Sequence, residues 1–131
     1  MIDKIVFSYF NPQSSYTNTA GFNTFKNFLA SQTLAVMCAK DHFSDVEIVT
    51  DDWGINILGG KLKLPVSFSD ALNGIKHVSK YFWAYGKLVA YAKQDVPFCH
   101  IDNDVYLLDG LPKRCLNAKL CFQSREYFDT P

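Results

Sequence analysis

The chain has 131 residues, of which 48% are hydrophobic and 15% aromatic, so it can bury a core as one domain over residues 1–131. Its 13 basic residues balance its 13 acidic ones. This balance argues against a general binder of nucleic acid or anionic membranes, which needs a basic excess. With neither a signal peptide nor an apolar run of the roughly 18 residues that span a bilayer, we expect a cytoplasmic protein without a transmembrane segment.

The cysteines are Cys38, Cys99, Cys115 and Cys121. None of them forms a CxxC pair, so the pattern does not predict a structural zinc site. Cys38 and Cys99 lie in apolar stretches typical of buried thiols. Cys115 and Cys121 are close enough in sequence to form a disulfide, but a reducing cytoplasm favours free thiols.

The first half of the chain predicts two strands with a helix between them. Residues 4–9 form an almost unbroken apolar run, which is typical of a buried strand in a parallel sheet. After a polar loop, apolar residues at helical spacing predict a helix over residues 24–41, with Thr24 as its N-cap. Residues 46–50 are the second predicted strand.

The second half continues the alternation of strands and helices. It predicts a short helix over residues 53–58, and a weak third strand over residues 64–68 that its proline places at an edge. A helix over residues 80–94 then precedes an apolar strand that begins at Pro97 and carries two carboxylates. A last strand is expected near residues 120–123.

This order predicts an α/β fold with three αβα layers and a mainly parallel, Rossmann-like sheet that has helices on both faces. Ligands of such sheets bind beyond the carboxyl ends of the strands. Tyr9 ends the first predicted strand, Asp51 follows the second, and Asp102 and Asp104 come at the end of the fourth. We therefore expect polar and acidic side chains to gather along that edge.

Asp102 and Asp104 form the most informative motif, because an unpaired carboxylate at the end of a buried strand is costly. In a strand, residues two apart point to the same side, so these carboxylates could bind one cation together. Mg²⁺ or Mn²⁺ prefers oxygen ligands and would bridge to phosphate oxygens. The alternative interpretation is a polar junction between a strand and a turn, where acidic residues are common.

Lys87 lies on the helix before that motif, beside Gly86. A glycine inside a helix costs about 1 kcal/mol relative to alanine, which indicates close approach of a neighbouring backbone or of a ligand. Lys87 could then reach a phosphate or a sugar hydroxyl, or it could be a solvated surface lysine beside a packing glycine. His100 is expected within the sheet, as a core or supporting residue.

Other candidates have structural alternatives. Asp51 could hydrogen-bond a ribose or a base, while its neighbour Asp52 is as well explained as the N-cap of the next helix. Tyr9, Phe10 and Trp83 could stack on a base, but aromatic residues in an aromatic-rich chain are usually part of the core.

Residues 83–91 together with residues 97–105 resemble the nucleotide-sugar half of GT-A-fold glycosyltransferases, and in particular a bacterial group of glycosyltransferase-like proteins with the same layout. The resemblance extends from residue 5 to about residue 122. It implies a sheet of GT-A type and a nucleotide-sugar donor as ligand.

By this resemblance, Asp102 and Asp104 would coordinate Mn²⁺ or Mg²⁺ and the donor diphosphate. Tyr9 and Asp51 would flank the nucleotide, and Lys87 would face the donor sugar or its phosphates. GT-A enzymes are usually about twice as long, and their second half supplies the acceptor site and any catalytic base. The acceptor and the catalytic residues are therefore unassigned, and a fragment, a minimal relative or a chain that needs a partner or an oligomer is expected.

Two alternative functions remain open from the sequence. The first is a non-catalytic, transferase-like domain that serves assembly or protein interaction, which the short length and many aromatic residues favour. The second is a phosphohydrolase with Asp102 as nucleophile and Asp104 as acid. The second is disfavoured because Tyr106 stands where such enzymes usually carry Thr or Val, and because their motif lies on the first strand.

Overall fold

The computed structural model describes residues 1–82 and 84–121. The strands are β1 (Lys4–Ser8), β2 (Asp45–Val49), β3 (Ser67–Ser69) and β4 (Phe98–His100). The α-helices are α1 (Phe25–Lys40), α2 (Asp52–Gly54), α3 (Tyr85–Ala92) and α4 (Lys113–Leu116). α2 continues as a π-helix over Ile55–Lys61, and two 3₁₀ helices cover Ala71–Ile75 and Lys80–Phe82.

The four strands form one all-parallel sheet in the order β3-β2-β1-β4. The chain first builds outward from β1 through β2 to β3, and then crosses to the other side of β1 for β4. The direction in which successive strands are added to the sheet therefore reverses between β1 and β4. The α/β class and the parallel sheet are confirmed. The third strand, expected over residues 64–68, is observed at Ser67–Ser69, so it lies at the edge of the sheet as predicted but does not contain the proline.

The core lies on both faces of the sheet, because successive side chains of a strand point to opposite sides. Ile5 and Phe7 of β1 belong to a cluster that includes Phe28 and Val36 of α1. Val6 belongs to a second cluster on the other face. That cluster also contains Val49, Leu72, Ile75 and Ala90. Helices thus pack against each face.

α1 follows its local signals closely. Thr24 is extended, and its Oγ1 accepts a hydrogen bond from the Asn27 backbone N at 3.1 Å, which satisfies one unpaired donor of the first turn. The helix buries one face, made of residues spaced three and four apart: Phe28, Gln32, Ala35 and Ala39. The predicted helix and its N-cap are confirmed.

The largest differences from the predicted elements lie in the second half of the chain. The helix expected over residues 80–94 is divided into a 3₁₀ turn at Lys80–Phe82 and α3. β4 ends at His100, so Asp102 and Asp104 lie beyond the strand. Of the strand expected near residues 120–123, residues 120 and 121 are not in a strand, and the other two lie outside the described residues.

Within the described part of the chain, no helix is both long and apolar enough to cross a membrane.

Candidate functional site

A pocket of about 710 Å³ opens at the carboxyl edge of the sheet, between the ends of β1 and β4. Residues that follow β1 form one wall, residues that follow β4 form another, and α3 contributes Lys87. The lining residues are Ser8, Tyr9, Phe10, Asn11, Pro12, Gln13, Thr17, Asn18, Ala20, Gly21, Phe22, Tyr81, Lys87, Asp102, Asn103 and Asp104.

The position of this pocket follows from the strand order. Where two neighbouring parallel strands are connected in opposite directions, the segments leaving them diverge and open a crevice at their carboxyl ends. In this sheet the reversal lies between β1 and β4. The pocket therefore occupies the place where open α/β sheets usually bind their ligands.

Asp102 and Asp104 lie in a tight turn after β4, in which the Val105 backbone N donates to the Asp102 carbonyl at 3.0 Å. The prediction that they share one side of a strand is wrong, because the strand has already ended at His100. Both side chains nevertheless line the same pocket. The turn, and not strand alternation, brings the two carboxylates to one site.

The turn is anchored through the residue between the two carboxylates. The Asn103 Nδ2 donates to the Ser8 carbonyl at the end of β1, at 3.2 Å. The Ser31 Oγ of α1 donates to the Asn103 carbonyl at 2.9 Å. Both contacts join residues far apart in sequence, so the carboxylates are held in place by the sheet and by α1.

Lys87 pairs with one of these carboxylates. Its Nζ lies 2.5 Å from the Asp102 Oδ1, and the two side chains are 26% and 49% exposed. The structure thus places Lys87 in the wall of the pocket, which separates it from an ordinary solvated lysine. The pocket brings together a cationic group and two carboxylates, a set that suits a phosphate with its counter-ion.

Gly86 lets α3 approach the segment that leaves β1. A Cβ built at Gly86 would lie 2.9 Å from the Phe10 Cβ and 3.5 Å from the Leu72 Cδ1. The close approach that the sequence indicated is therefore protein packing. This packing fixes the helix that carries Lys87 against the pocket.

We expect Gly86→Ala to lower the free energy of unfolding by about 1–3 kcal/mol, because overpacking outweighs the gain of about 1 kcal/mol in helix propensity. Gly74→Ala is the matched control, since a Cβ there meets nothing within 4 Å. Urea denaturation of both variants measures the difference. Equal or higher stability of Gly86→Ala would show that the contact with Phe10 yields easily.

His100 is a partly buried histidine of the sheet, which agrees with the expected supporting role. Its Nε2 lies 2.9 Å from the Ser8 Oγ, and its Nδ1 lies 3.9 Å from the Asp102 Oδ1. Burial lowers the pKa of His100 to about 4, with the Asp102 charge opposing this shift and the Lys87 charge adding to it. The imidazole is therefore neutral at pH 7, and it contacts Ser8, which lines the pocket.

This shift predicts a loss of stability in acid. Between pH 6.5 and about 4 the unfolded chain takes up a proton at His100 that the folded chain does not. The contribution of neutral His100 to the free energy of unfolding should therefore be complete above pH 6.5. It should fall toward pH 4, by an amount on the order of 3 kcal/mol. Urea denaturation across this window should show the fall in the wild type and a smaller one in His100→Gln. His77→Gln controls for removal of an exposed imidazole. If His100→Gln loses as much stability in acid as the wild type, the lowered pKa of His100 is not the cause of the loss.

Tyr9 lines the pocket, but its ring belongs to the core. The residue is 2% exposed, and its ring stacks on Phe28 with centroids 4.5 Å apart. Its hydroxyl accepts from the Asn11 Nδ2 at 3.1 Å and donates to the Asn18 carbonyl at 3.3 Å. Burial raises the pKa of Tyr9. Core packing, and not a free ring for base stacking, therefore accounts for this aromatic residue.

Two further aromatic residues were candidates either for stacking on a base or for the core. Phe10 lines the pocket and also packs against the second core cluster. Trp83 lies outside the described residues. Base stacking at Phe10 stays a prediction.

Asp51 has a structural role that the sequence had given to Asp52. It is 0% exposed, and its Oδ1 accepts from the Gly54 backbone N at 2.8 Å, which makes it the N-cap of α2. Its other oxygen, Oδ2, is buried and has no hydrogen-bond partner among the described residues. Asp51 does not line the pocket, so its expected contact with the nucleotide has no support from this placement.

Family comparison gives one positive finding. The model of DUF6734, a family of unknown function, matches residues 3–130. The chain belongs to this family. No curated protein and no solved structure matches the chain. The family assignment covers the whole pocket but brings no activity with it.

Sequence reasoning missed the asparagines that shape the loop after β1. Asn11 is fully buried, and its Nδ2 donates to the Ser15 carbonyl at 3.0 Å. The Asn18 Nδ2 donates to the Phe10 carbonyl at 3.3 Å. The signal was the run of Asn, Ser and Thr directly after a buried strand, since such side chains bind backbone groups in turns. These contacts hold one wall of the pocket.

The donor atoms of the pocket fit a hard divalent cation that arrives with a phosphate. Among the described residues no group of three or more His, Cys, Asp or Glu side chains is placed to hold a metal. Mg²⁺ is commonly held by one or two carboxylates together with substrate phosphates and water. Asp102 and Asp104 supply such carboxylates, and both are exposed to the pocket.

Proposed function

We propose that this protein binds a nucleotide-diphosphate sugar together with Mn²⁺ or Mg²⁺ in the pocket between β1 and β4, and that it acts as a glycosyltransferase of GT-A type on an acceptor still to be identified. The observation that carries the proposal is the meeting of Asp102, Asp104 and Lys87 in one pocket at the reversal of strand order. A volume of about 710 Å³ also suits a ligand of this size.

The charges of the pocket favour a diphosphate that brings its own cation. The carboxylates of Asp102 and Asp104 would repel a bare diphosphate, whereas they would hold a divalent cation that also binds the phosphate oxygens. Such an ion, when bound, stabilises the charge that develops on the leaving diphosphate. Lys87 lies beside Asp102 and adds a second positive charge at the same point.

The chain's own residues position these groups. Asn103 ties the turn to the end of β1, and Ser31 ties it to α1, so the carboxylates need little reorganisation when a ligand binds. Gly86 brings α3 close enough for Lys87 to reach the same turn. These contacts support a preorganised site for the donor.

Thermal unfolding against a panel of donors tests this function. UDP-, GDP- and dTDP-sugars are compared with CMP-sugars, which carry a single phosphate, each with Mn²⁺ or with EDTA. A ligand that binds only the folded state raises stability, so we expect an increase in melting temperature with one diphosphate donor that requires the metal. Mn²⁺ alone is the control for metal binding without donor.

The outcomes separate the competing functions. Selective, metal-dependent stabilisation would support the donor site and identify the nucleotide, and release of the nucleoside diphosphate on adding acceptors would then test transfer. No shift with any donor would overturn the proposal. A non-catalytic role in assembly would then become the leading interpretation.

A further inference from the structure

Two thiols lie side by side at the end of α4, away from the pocket. The Cys121 Sγ donates a hydrogen bond to the Cys115 Sγ at 3.4 Å. Cys121 is exposed and Cys115 is half-buried, and all four cysteines of the chain are free thiols. Neither residue lines the pocket between β1 and β4. The pair is thus a reactive feature that the proposed donor site does not use.

We propose that Cys115 and Cys121 form a redox-reactive dithiol, which a small-molecule disulfide such as glutathione disulfide converts reversibly into an intramolecular disulfide. The contact between the two sulfur atoms carries this inference. Closing it requires the sulfurs to approach by a little more than an ångström, since a disulfide bond is about 2.05 Å long. Cys121 follows the short α4 in an irregular segment, where such a shift meets little resistance.

The reaction balances as two thiol–disulfide exchanges. The exposed Cys121 loses its proton, and its thiolate attacks one sulfur of glutathione disulfide, which releases one glutathione thiolate. The Cys115 thiolate then attacks the Cys121 sulfur of the mixed disulfide and releases the second glutathione. The two cysteines lose two electrons and two protons, and glutathione disulfide gains them as two molecules of glutathione.

The other two cysteines lack this combination of exposure and a thiol partner. Cys38 is buried on α1. Cys99 is half-buried, its thiol donates weakly to the His100 carbonyl at 3.8 Å, and burial raises the pKa of Cys99, with smaller contributions from Cys121 and Cys115. A raised pKa lowers the fraction of reactive thiolate. Because Cys121 is the exposed thiol and Cys99 is half-buried, Cys121 should react first.

The hydrogen bond to Cys115 raises the pKa of the Cys121 thiol, while the charge of Arg114 opposes the shift. The thiolate is the attacking species, so the initial rate should rise with pH, by roughly tenfold per unit while the pH stays well below that pKa. Incubation with EDTA and without glutathione disulfide, which should give no cross-link, controls for oxidation catalysed by dissolved metal.

Tryptic mapping tests the pairing directly, because the four cysteines fall in separate peptides. Cleavage after Arg114 and Lys119 places Cys115 in residues 115–119 and Cys121 in residues 120–125. The folded protein is incubated with glutathione disulfide, alkylated, digested and analysed by mass spectrometry. We expect one cross-linked species that joins these two peptides, its loss on adding dithiothreitol, and alkylation of Cys38 and Cys99.

Serine variants complete the test. Cys115→Ser should stop at a glutathione adduct on Cys121, while Cys38→Ser should still form the cross-link at the wild-type rate. A glutathione adduct on Cys121 in the wild type without the cross-link, or a cross-link that involves Cys99, would overturn the proposal. Recovery of all four cysteines in alkylated form, which means that none was oxidised, would also overturn the proposal. The cross-link is measured without any donor, so its presence or absence does not depend on the proposed function.

Discussion

Asp104→Asn should abolish the metal-dependent stabilisation by the active donor. A donor present at 100 times its Kd stabilises the folded protein by about 2.7 kcal/mol, and this increment should disappear in the variant. An amide keeps the shape of the carboxylate but loses the negative charge that a hard cation requires. Asp104 is exposed in the turn after β4 and makes no ion pair among the described residues, so the unliganded protein should melt near the wild-type temperature.

Asp109→Asn is the matched control, since it removes an exposed carboxylate that does not line the pocket. Asp102→Asn should lose the donor response as Asp104→Asn does. It also breaks the partly exposed ion pair with Lys87, which contributes at most about 1 kcal/mol to folding. Thermal unfolding of the three variants with donor, Mn²⁺ and EDTA measures these effects. Retention of the full metal-dependent shift in both pocket variants would exclude the carboxylates as ligands.

Phe28→Ala should lower the free energy of unfolding by about 3–5 kcal/mol, the range found when a buried phenylalanine is truncated. Phe28 is 0% exposed and lies at the centre of an aromatic group on one face of the sheet. Its ring centroid is 4.5 Å from that of Tyr9 and 5.6 Å from that of Phe25. Removing it leaves a cavity that this rigid group cannot fill.

Leu34→Ala on the same helix is the control for this prediction. Leu34 is 50% exposed, so its truncation should change stability by no more than about 0.5 kcal/mol. Urea denaturation of both variants at neutral pH gives the comparison. Similar losses in the two variants would mean that α1 is not anchored through Phe28. Because Phe28 supports Tyr9, whose hydroxyl holds Asn11 and Asn18, Phe28→Ala should also weaken the loop that lines the pocket.

Elements with strong local signals were predictable. α1 has an N-cap threonine and an apolar face at helical spacing, and both features act within a few residues. β1 is an apolar run whose burial on both faces needs only a parallel sheet around it. The location of Asp102 and Asp104 at the carboxyl edge of the sheet was also predictable, because they come at the end of an apolar run, but their position in a turn was not.

The assignments that failed depend on contacts between distant residues. β4 ends at His100, and the turn that follows is fixed by Ser8 and Ser31, far away in sequence. Asp51 and Asp52 are equivalent by pattern, and the backbone path into α2 decided that Asp51 is the cap. No periodicity within one segment contains this information.

The sequence by itself determined the alternation of strands and helices, the parallel sheet and the edge at which polar residues collect. These follow from hydrophobic period and capping, which are local properties. Only the tertiary structure decided that the order in which strands are added to the sheet reverses between β1 and β4, and that Lys87 pairs with Asp102 there. The second depends on how α3 packs against the segment after β1, where the Gly86 backbone approaches the Phe10 side chain, a contact between distant parts of the chain that no single stretch of sequence specifies.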